Sequence, residues 1–173
     1  MSIPTSTSVV ESAVIKAPLS QVWHHIKLQN FSNFWSALTS SEFVKGTNDE
    51  ADVVHWTFKD GTELDVKQEE HSVRHTPYAI RHPPLPITWK LTKSQTINHY
   101  ITYSIITAKP NLTYSSVLST IRCYAVTSGE LEGSTYIQWS GNFSSDADAG
   151  VIEDAKFKRR DALADLAKVA TKN

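Results

Sequence analysis

The stretch that decides the fold is SVVESAVIKAPLSQVWHHI, residues 8–26. Residues 8–15 read as an apolar strand. Pro18 then suits a first helical position, and Leu19, Val22, Trp23 and Ile26 recur at helical spacing. The chain thus opens on a strand that runs straight into a helix. It closes on a second helical pattern, about 146–172, in which Ile152, Ala155, Ala162, Leu163, Leu166, Val169 and Ala170 form one apolar stripe. Between the two lies mostly strand-type sequence. A stripe of that length must bury against something, and a sheet is the only large partner such a chain can build. The order predicts an α+β domain: a curved antiparallel β-sheet wrapped around a long C-terminal helix, with two short helices after the first strand.

Working inward, the second short helix is expected at about 31–38, carrying Phe31, Phe34, Trp35 and Leu38. Strand signals follow at 42–45 and 51–58 around a 46–50 turn, and Asp60-Gly61 is a hairpin signal leading into 62–72. Further strands are expected at 99–108, 114–127 and 135–144, with turns near 109–111 and 129–133. Short turns mean antiparallel neighbours. Alternation within 62–72 puts Leu64, Val66, Gln68 and Glu70 on one face, which begins apolar and is assigned to the interior. Within 51–58 the set Val53/His55/Thr57 and the set Val54/Trp56/Phe58 both look buriable. Ile137 and Trp139 share a face of the last strand, with Phe143 further along it.

Composition narrows the function classes. At 173 residues, 40% hydrophobic and with five Trp, the chain has material for one well-packed domain, assigned to 8–173. Residues 1–7 are Ser/Thr-rich and expected to be frayed or disordered. A net charge of -1 gives no electrostatic footprint for nucleic acid. The one dense basic run, 156–160, shares its helix with Asp154, Asp161 and Asp165 and reads as a solvated face. Cys123 is the only cysteine, so no intrachain disulfide can form, and its apolar strand context suggests a buried small side chain. No signal peptide is visible, and no apolar run approaches the ~18 residues of a spanning helix, so a cytoplasmic location without integral membrane association is expected. His24 and His25 point about 100° apart on a helix and do not chelate one metal easily. No HExxH, phosphate-binding loop or dinucleotide-binding glycine pattern occurs, so neither metal nor cofactor is implied.

One segment breaks the pattern. Residues 73–95 carry four of the seven prolines and occupy a place where hairpin loops usually take two to five residues. Such a stretch can be a lid over a cavity. It can also be a translated intron of fungal type, because its removal fuses EEHS to TINHYITYS as an ordinary hairpin. Its opening Val-Arg could be encoded from a GT donor, and LTKSQ from a branch sequence followed by a CAG acceptor. Neither reading puts catalytic residues there.

The segments VVESAVIKAPLSQVWHHI, FKDGTELDVKQEEHS, YITYSIITAKPNLTYSSVLSTIRCY and STYIQWSGNFSS, followed by the terminal helix, resemble the START-like (SRPBCC) superfamily, the helix-grip fold of the birch-pollen allergen. Within it they look most like the polyketide cyclase/dehydrase and lipid-transport branch. The resemblance implies a cavity between sheet and C-terminal helix that holds an apolar small molecule: a lipid, sterol or polyketide-like compound. Trp35, Val53, His55, Leu64, Val66, Gln68, Ile137, Trp139, Phe143, Ile152 and Leu163 are the candidate ligand-binding residues. The onion lachrymatory-factor synthase, similar in the middle strands, relies on an Arg and a Glu in its pocket, and those positions fall here at His55 and Gln68. Neither supplies the permanent charge or the carboxylate of that proton shuttle. His55 and Glu70 are the candidates for acid–base catalysis, should the chain be a cyclase or dehydratase, and Arg122 is a further polar candidate. Hormone-gated members of the superfamily add a third expectation, a protein partner recruited only when ligand is bound.

Overall fold

The computed structural model describes residues 7–44, 53–71 and 99–172. The 46–50 turn and the 73–95 segment lie outside the described residues, as do residues 1–6. Seven strands form one antiparallel sheet: β1 (Ser8–Ile15), β2 (Leu38–Phe43), β3 (Val53–Phe58), β4 (Glu63–His71), β5 (His99–Lys109), β6 (Val117–Ala125) and β7 (Thr135–Phe143). Their spatial order is β1-β7-β6-β5-β4-β3-β2, so the first strand closes on the last and the rest form a meander. Helix α1 (Leu19–His25) follows β1, and the long helix α2 (Ala149–Ala170) ends the chain.

Period-two alternation decides which residues face α2. On β7 the inward set is Thr135, Ile137, Trp139, Gly141 and Phe143; on β6 it is Val117, Ser119, Ile121 and Cys123. Across the sheet these stack in register, and one transverse row runs Gln68, Tyr103, Ser119, Gly141, Val9. In α2 the buried positions are Ile152, Ala155, Arg159, Ala162, Leu163, Asp165, Leu166 and Ala170. The apolar stripe of the sequence is there, but two charged residues lie inside it. Asp148 caps the helix by accepting the Val151 N–H at 2.8 Å.

The aromatic residues fill the space between sheet and helices. Phe31 stacks on Trp56 at 5.0 Å, while Trp35 meets Trp56, Phe58 and Trp139 edge-on. The Trp56 indole N–H donates to the Leu28 carbonyl at 3.0 Å. Burying one such side chain is worth roughly 1.5–3 kcal/mol, so this cluster contributes to anchoring the connection to the sheet.

Two local expectations need correction. The second short helix lies not at 31–38 but over Leu28–Asn33, as a 3-10 helix, and β2 already begins at Leu38. Serine side chains compete with the helical ladder here. Ser41 Oγ accepts from the Ser32 N–H at 3.1 Å and donates to the Gln29 carbonyl at 2.8 Å, which ties the turn to the strand. The inward set of β4 also changes partway along. Gln68 pairs with Tyr103, but Glu70 pairs with Thr102, so Glu69 is an extra residue in a β-bulge. Past the bulge the faces swap. His71 turns inward and stacks on Trp23 of α1 at 5.5 Å, with His99 edge-on to the same ring, and Glu70 turns outward.

Asp165 fastens the far end of α2. Its carboxylate accepts from the Ser36 N–H at 3.0 Å, from the Ser36 hydroxyl and from Lys168 at 2.9 Å. Burial pushes this carboxyl up, but the bonds from Ser36 and Lys168 outweigh it and hold it below the usual range. Asp165→Ala is expected to lower stability at neutral pH by roughly 1–3 kcal/mol in urea denaturation. Because the folded-state value is depressed, the contribution is complete above the unfolded carboxylate value and is lost as pH falls through the folded one. The gap between wild type and variant should therefore close on acidification; a gap that persists would contradict the ionised tether.

Candidate functional site

Between the sheet and the N-terminal half of α2 lies a cavity of about 190 Å³. Its floor comes from the inward rows of β5, β6 and β7: Tyr103, Ser119, Trp139 and Phe143. Trp35, Phe58 and Leu64 form one wall, and Ala155, Lys158 and Arg159 of α2 form the roof. Leu112 and Tyr114, from the β5–β6 connection, lie at one margin with Thr62 and Asp154. That connection is pinned to the start of α2, because Asp146 accepts from the Ser115 N–H at 2.9 Å and from its hydroxyl. The Ser115 hydroxyl bond, with help from Ser144, holds the Asp146 carboxyl at about 2.

The polar centre of the cavity is Arg159. It occupies a stripe position of α2, so its guanidinium is carried inward, and the residue is only 8% exposed. Nη1 donates to the Ala155 carbonyl and Nη2 to Ser119 Oγ, both at 3.0 Å. The guanidinium carbon sits 5.8 Å from the Trp139 ring centre and 5.7 Å from that of Phe143, the two residues flanking Gly141 on the same face. Gly141 makes this possible. A Cβ there would lie 2.4 Å from Nη2, so the guanidinium rests against bare backbone. Burial lowers the Arg159 pKa, against the opposing pull of Tyr103, Tyr114 and Glu11. Arginine nevertheless stays charged in a protein.

Around this cation the groups are hydroxyls. The Trp139 indole N–H donates to the Tyr103 hydroxyl at 3.1 Å, and Ser119, which accepts from Arg159, is the cross-strand partner of Tyr103. Burial raises the pKa of both Tyr103 and Tyr114. At neutral pH both are proton donors. Among the described residues no three His, Cys, Asp or Glu side chains converge to hold a metal ion. Cys123 is buried and pushed up to about 12 by desolvation, which leaves its thiol inert.

Of the residues singled out in the sequence, Trp35, Leu64, Trp139 and Phe143 line the cavity. Val66, Ile137 and Leu163 are core residues beside it, and Ile152 belongs to a satellite cluster with Val9, Ala147 and Ala155. Gln68 sits in the transverse row next to Tyr103. Val53 and His55 are corrections. The inward set of β3 is Val54, Trp56 and Phe58, so both point away from the cavity. His55 instead pairs across the strand with Asp65 at 2.7 Å, its side chain 39% exposed. Glu70 is carried outward by the bulge, and Arg122 lies over the Tyr100 ring on the outer face. Neither acid–base candidate, His55 or Glu70, faces the cavity.

Arg159, Ser119, Tyr103 and Gly141 were not singled out. Arg159 was hidden in a basic run that reads as solvated surface. The available signal was its spacing, four after Ala155 and four before Leu163, together with a glycine between two aromatics on the last strand.

Residues 6–171 match the family described as polyketide cyclase / dehydrase and lipid transport. No curated protein sequence matches the chain. Among solved structures, XoxI from Bacillus cereus is similar with a TM-score of 0.68 at 20% identity, covering 94% of each chain. Ara h 8.0201 is similar with a TM-score of 0.64 at 15% identity, covering 96% of this chain and 98% of that one. The di-domain ARO/CYC StfQ, from the steffimycin biosynthetic pathway, gives a TM-score of 0.60 at 14% identity; 94% of this chain aligns with 44% of that one. At these identities the structural likeness establishes the fold, a seven-stranded curved sheet gripping a C-terminal helix.

The close approach at Gly141 yields a test of the site. Gly141→Ala should cost roughly 1–3 kcal/mol by overpacking against the guanidinium. In an Arg159→Ala background the same change should cost less, because the nearest clashing group is gone and only the Phe143 ring, 3.2 Å from the added Cβ, must give. Equal costs in both backgrounds, measured by denaturant unfolding, would contradict the contact.

Proposed function

The chain belongs to the polyketide cyclase / dehydrase and lipid transport family, and from that premise we propose that it binds and carries a small apolar or aromatic molecule in the cavity beneath α2. The observation that carries the reading is the cavity itself, walled by Trp35, Phe58, Leu64, Trp139 and Phe143. Aromatic and aliphatic walls desolvate an apolar ligand, and a few polar groups orient it. Size selects within the class. The volume of about 190 Å³ is slightly above the roughly 150 Å³ that accommodates benzene in an engineered cavity, and below the roughly 300 Å³ at which drug-sized pockets begin. A compact aromatic compound suits it better than a sterol or a long lipid.

Turnover is the second reading, supported by the family description and by the buried Tyr103 and half-buried Tyr114 hydroxyls near Arg159. A carrier is favoured over it on geometric grounds. Neither acid–base candidate, His55 or Glu70, faces the cavity, and the one carboxylate among its lining residues, Asp154, is tied to Lys158 at 2.8 Å. General acid–base catalysis needs a positioned group within reach of the reacting atoms.

Native mass spectrometry of the protein from its own host should show a bound small compound, released on unfolding. Leu64→Trp, which fills the cavity, should abolish the adduct, whereas His55→Ala on the outer face should retain it. A folded protein with no adduct, or an adduct indifferent to Leu64→Trp, would overturn the reading.

A further inference from the structure

We propose that the cavity selects a small aromatic anion, its charged oxygen paired with Arg159. The inference rests on the cavity being the binding site and names what it prefers. Arg159 is more than nine-tenths buried, and its Nε has no hydrogen-bond partner. Of five donors, the described residues satisfy Nη1 and Nη2 once each, with a carbonyl and a hydroxyl. Among the described residues the guanidinium forms no ion pair.

The nearby carboxylates are committed elsewhere. Glu11, on β1, takes both of its bonds from Arg160, at 3.1 and 3.3 Å. Asp154, at the cavity margin, is paired with Lys158. Asp165 lies nearly two turns along α2 and is held by Ser36 and Lys168. A buried cation without a counter-charge is costly, and contact with the Trp139 and Phe143 rings offsets only part of that cost.

The surroundings are built for the cation and not against it. Gly141 gives up its side chain so that the guanidinium can lie on the strand, and two aromatic rings flank it. The side chain is therefore held in place before any ligand arrives, which limits the ordering cost of binding. The same guanidinium lines the cavity. A carboxylate, phenolate or enolate oxygen on a compact ring would meet a charge that the described residues leave without an ion pair. The two hydroxyls on the floor, Tyr103 and Ser119, can donate to or accept from the same group.

The test compares two molecules of one shape and different charge, 2-naphthoate and 2-naphthamide, by calorimetry on the full-length chain at neutral pH. Wild type should bind the carboxylate at least about tenfold more tightly, the lower end expected of a hydrogen bond to a charged group. In Arg159→Gln the preference ratio should fall to near one, and Arg159→Lys should keep part of it. Equal affinities in wild type, or a preference that survives Arg159→Gln, would overturn the anion assignment while leaving the cavity-binding function intact. Decanoate binding as tightly as 2-naphthoate would overturn the aromatic part. Binding of no compound at all would remove the cavity-binding function and this inference with it. Should Arg159→Gln fail to fold, the wild-type ratio alone decides.

Discussion

Everything in this structure depends on one helix lying across one face of one antiparallel sheet. The sheet has alternating side chains, so only every second residue of each strand can meet α2, and those residues are fixed as a set once register is fixed. The row Gln68, Tyr103, Ser119, Gly141 and Val9 shows the consequence, because five strands contribute one residue each to the same line beneath the helix. Packing is not uniform along that line. The C-terminal half of α2 is closed by Ala162, Leu163, Leu166 and Ala170 against the aromatic core, and Asp165 is tied to Ser36. In the N-terminal half Ile152 and Ala155 pack with Val9, the guanidinium of Arg159 rests against Gly141, and the cavity lies beside it.

The cavity is apolar in its walls and ionic at one point, a combination with a physical cost. The fold meets part of the cost through ring contacts, a serine hydroxyl and a helix carbonyl. The rest is what the proposed anionic ligand would offset. His55, the acid–base candidate of the alternative reading, lies on the opposite face in a cross-strand pair with Asp65.

The architecture was legible because it rests on long periodic signals. The 8–15 strand and the terminal helix appear at nearly the bounds read from the sequence, and the Asp60-Gly61 turn places β3 against β4. Three features were not legible, each for a physical reason. On β3 both faces carry buriable residues, so alternation could not say whether His55 or Trp56 turned inward. On β4 a bulge at Glu69 reversed the faces, and no residue type there announces it. In α2 a charged residue occupies a core position, and charge is normally the strongest sign of solvent. The departure from pattern at Arg159 coincides with the candidate site, as expected where local rules yield to function.

The most direct test is a crystal structure of the protein with 2-naphthoate bound. The account predicts the rings enclosed beneath α2 and a carboxylate oxygen at charge-assisted hydrogen-bond distance, about 2.7–2.9 Å, from Arg159. A ligand ordered on the outer face near His55, or one inside the cavity with its carboxylate turned away from Arg159, would contradict it.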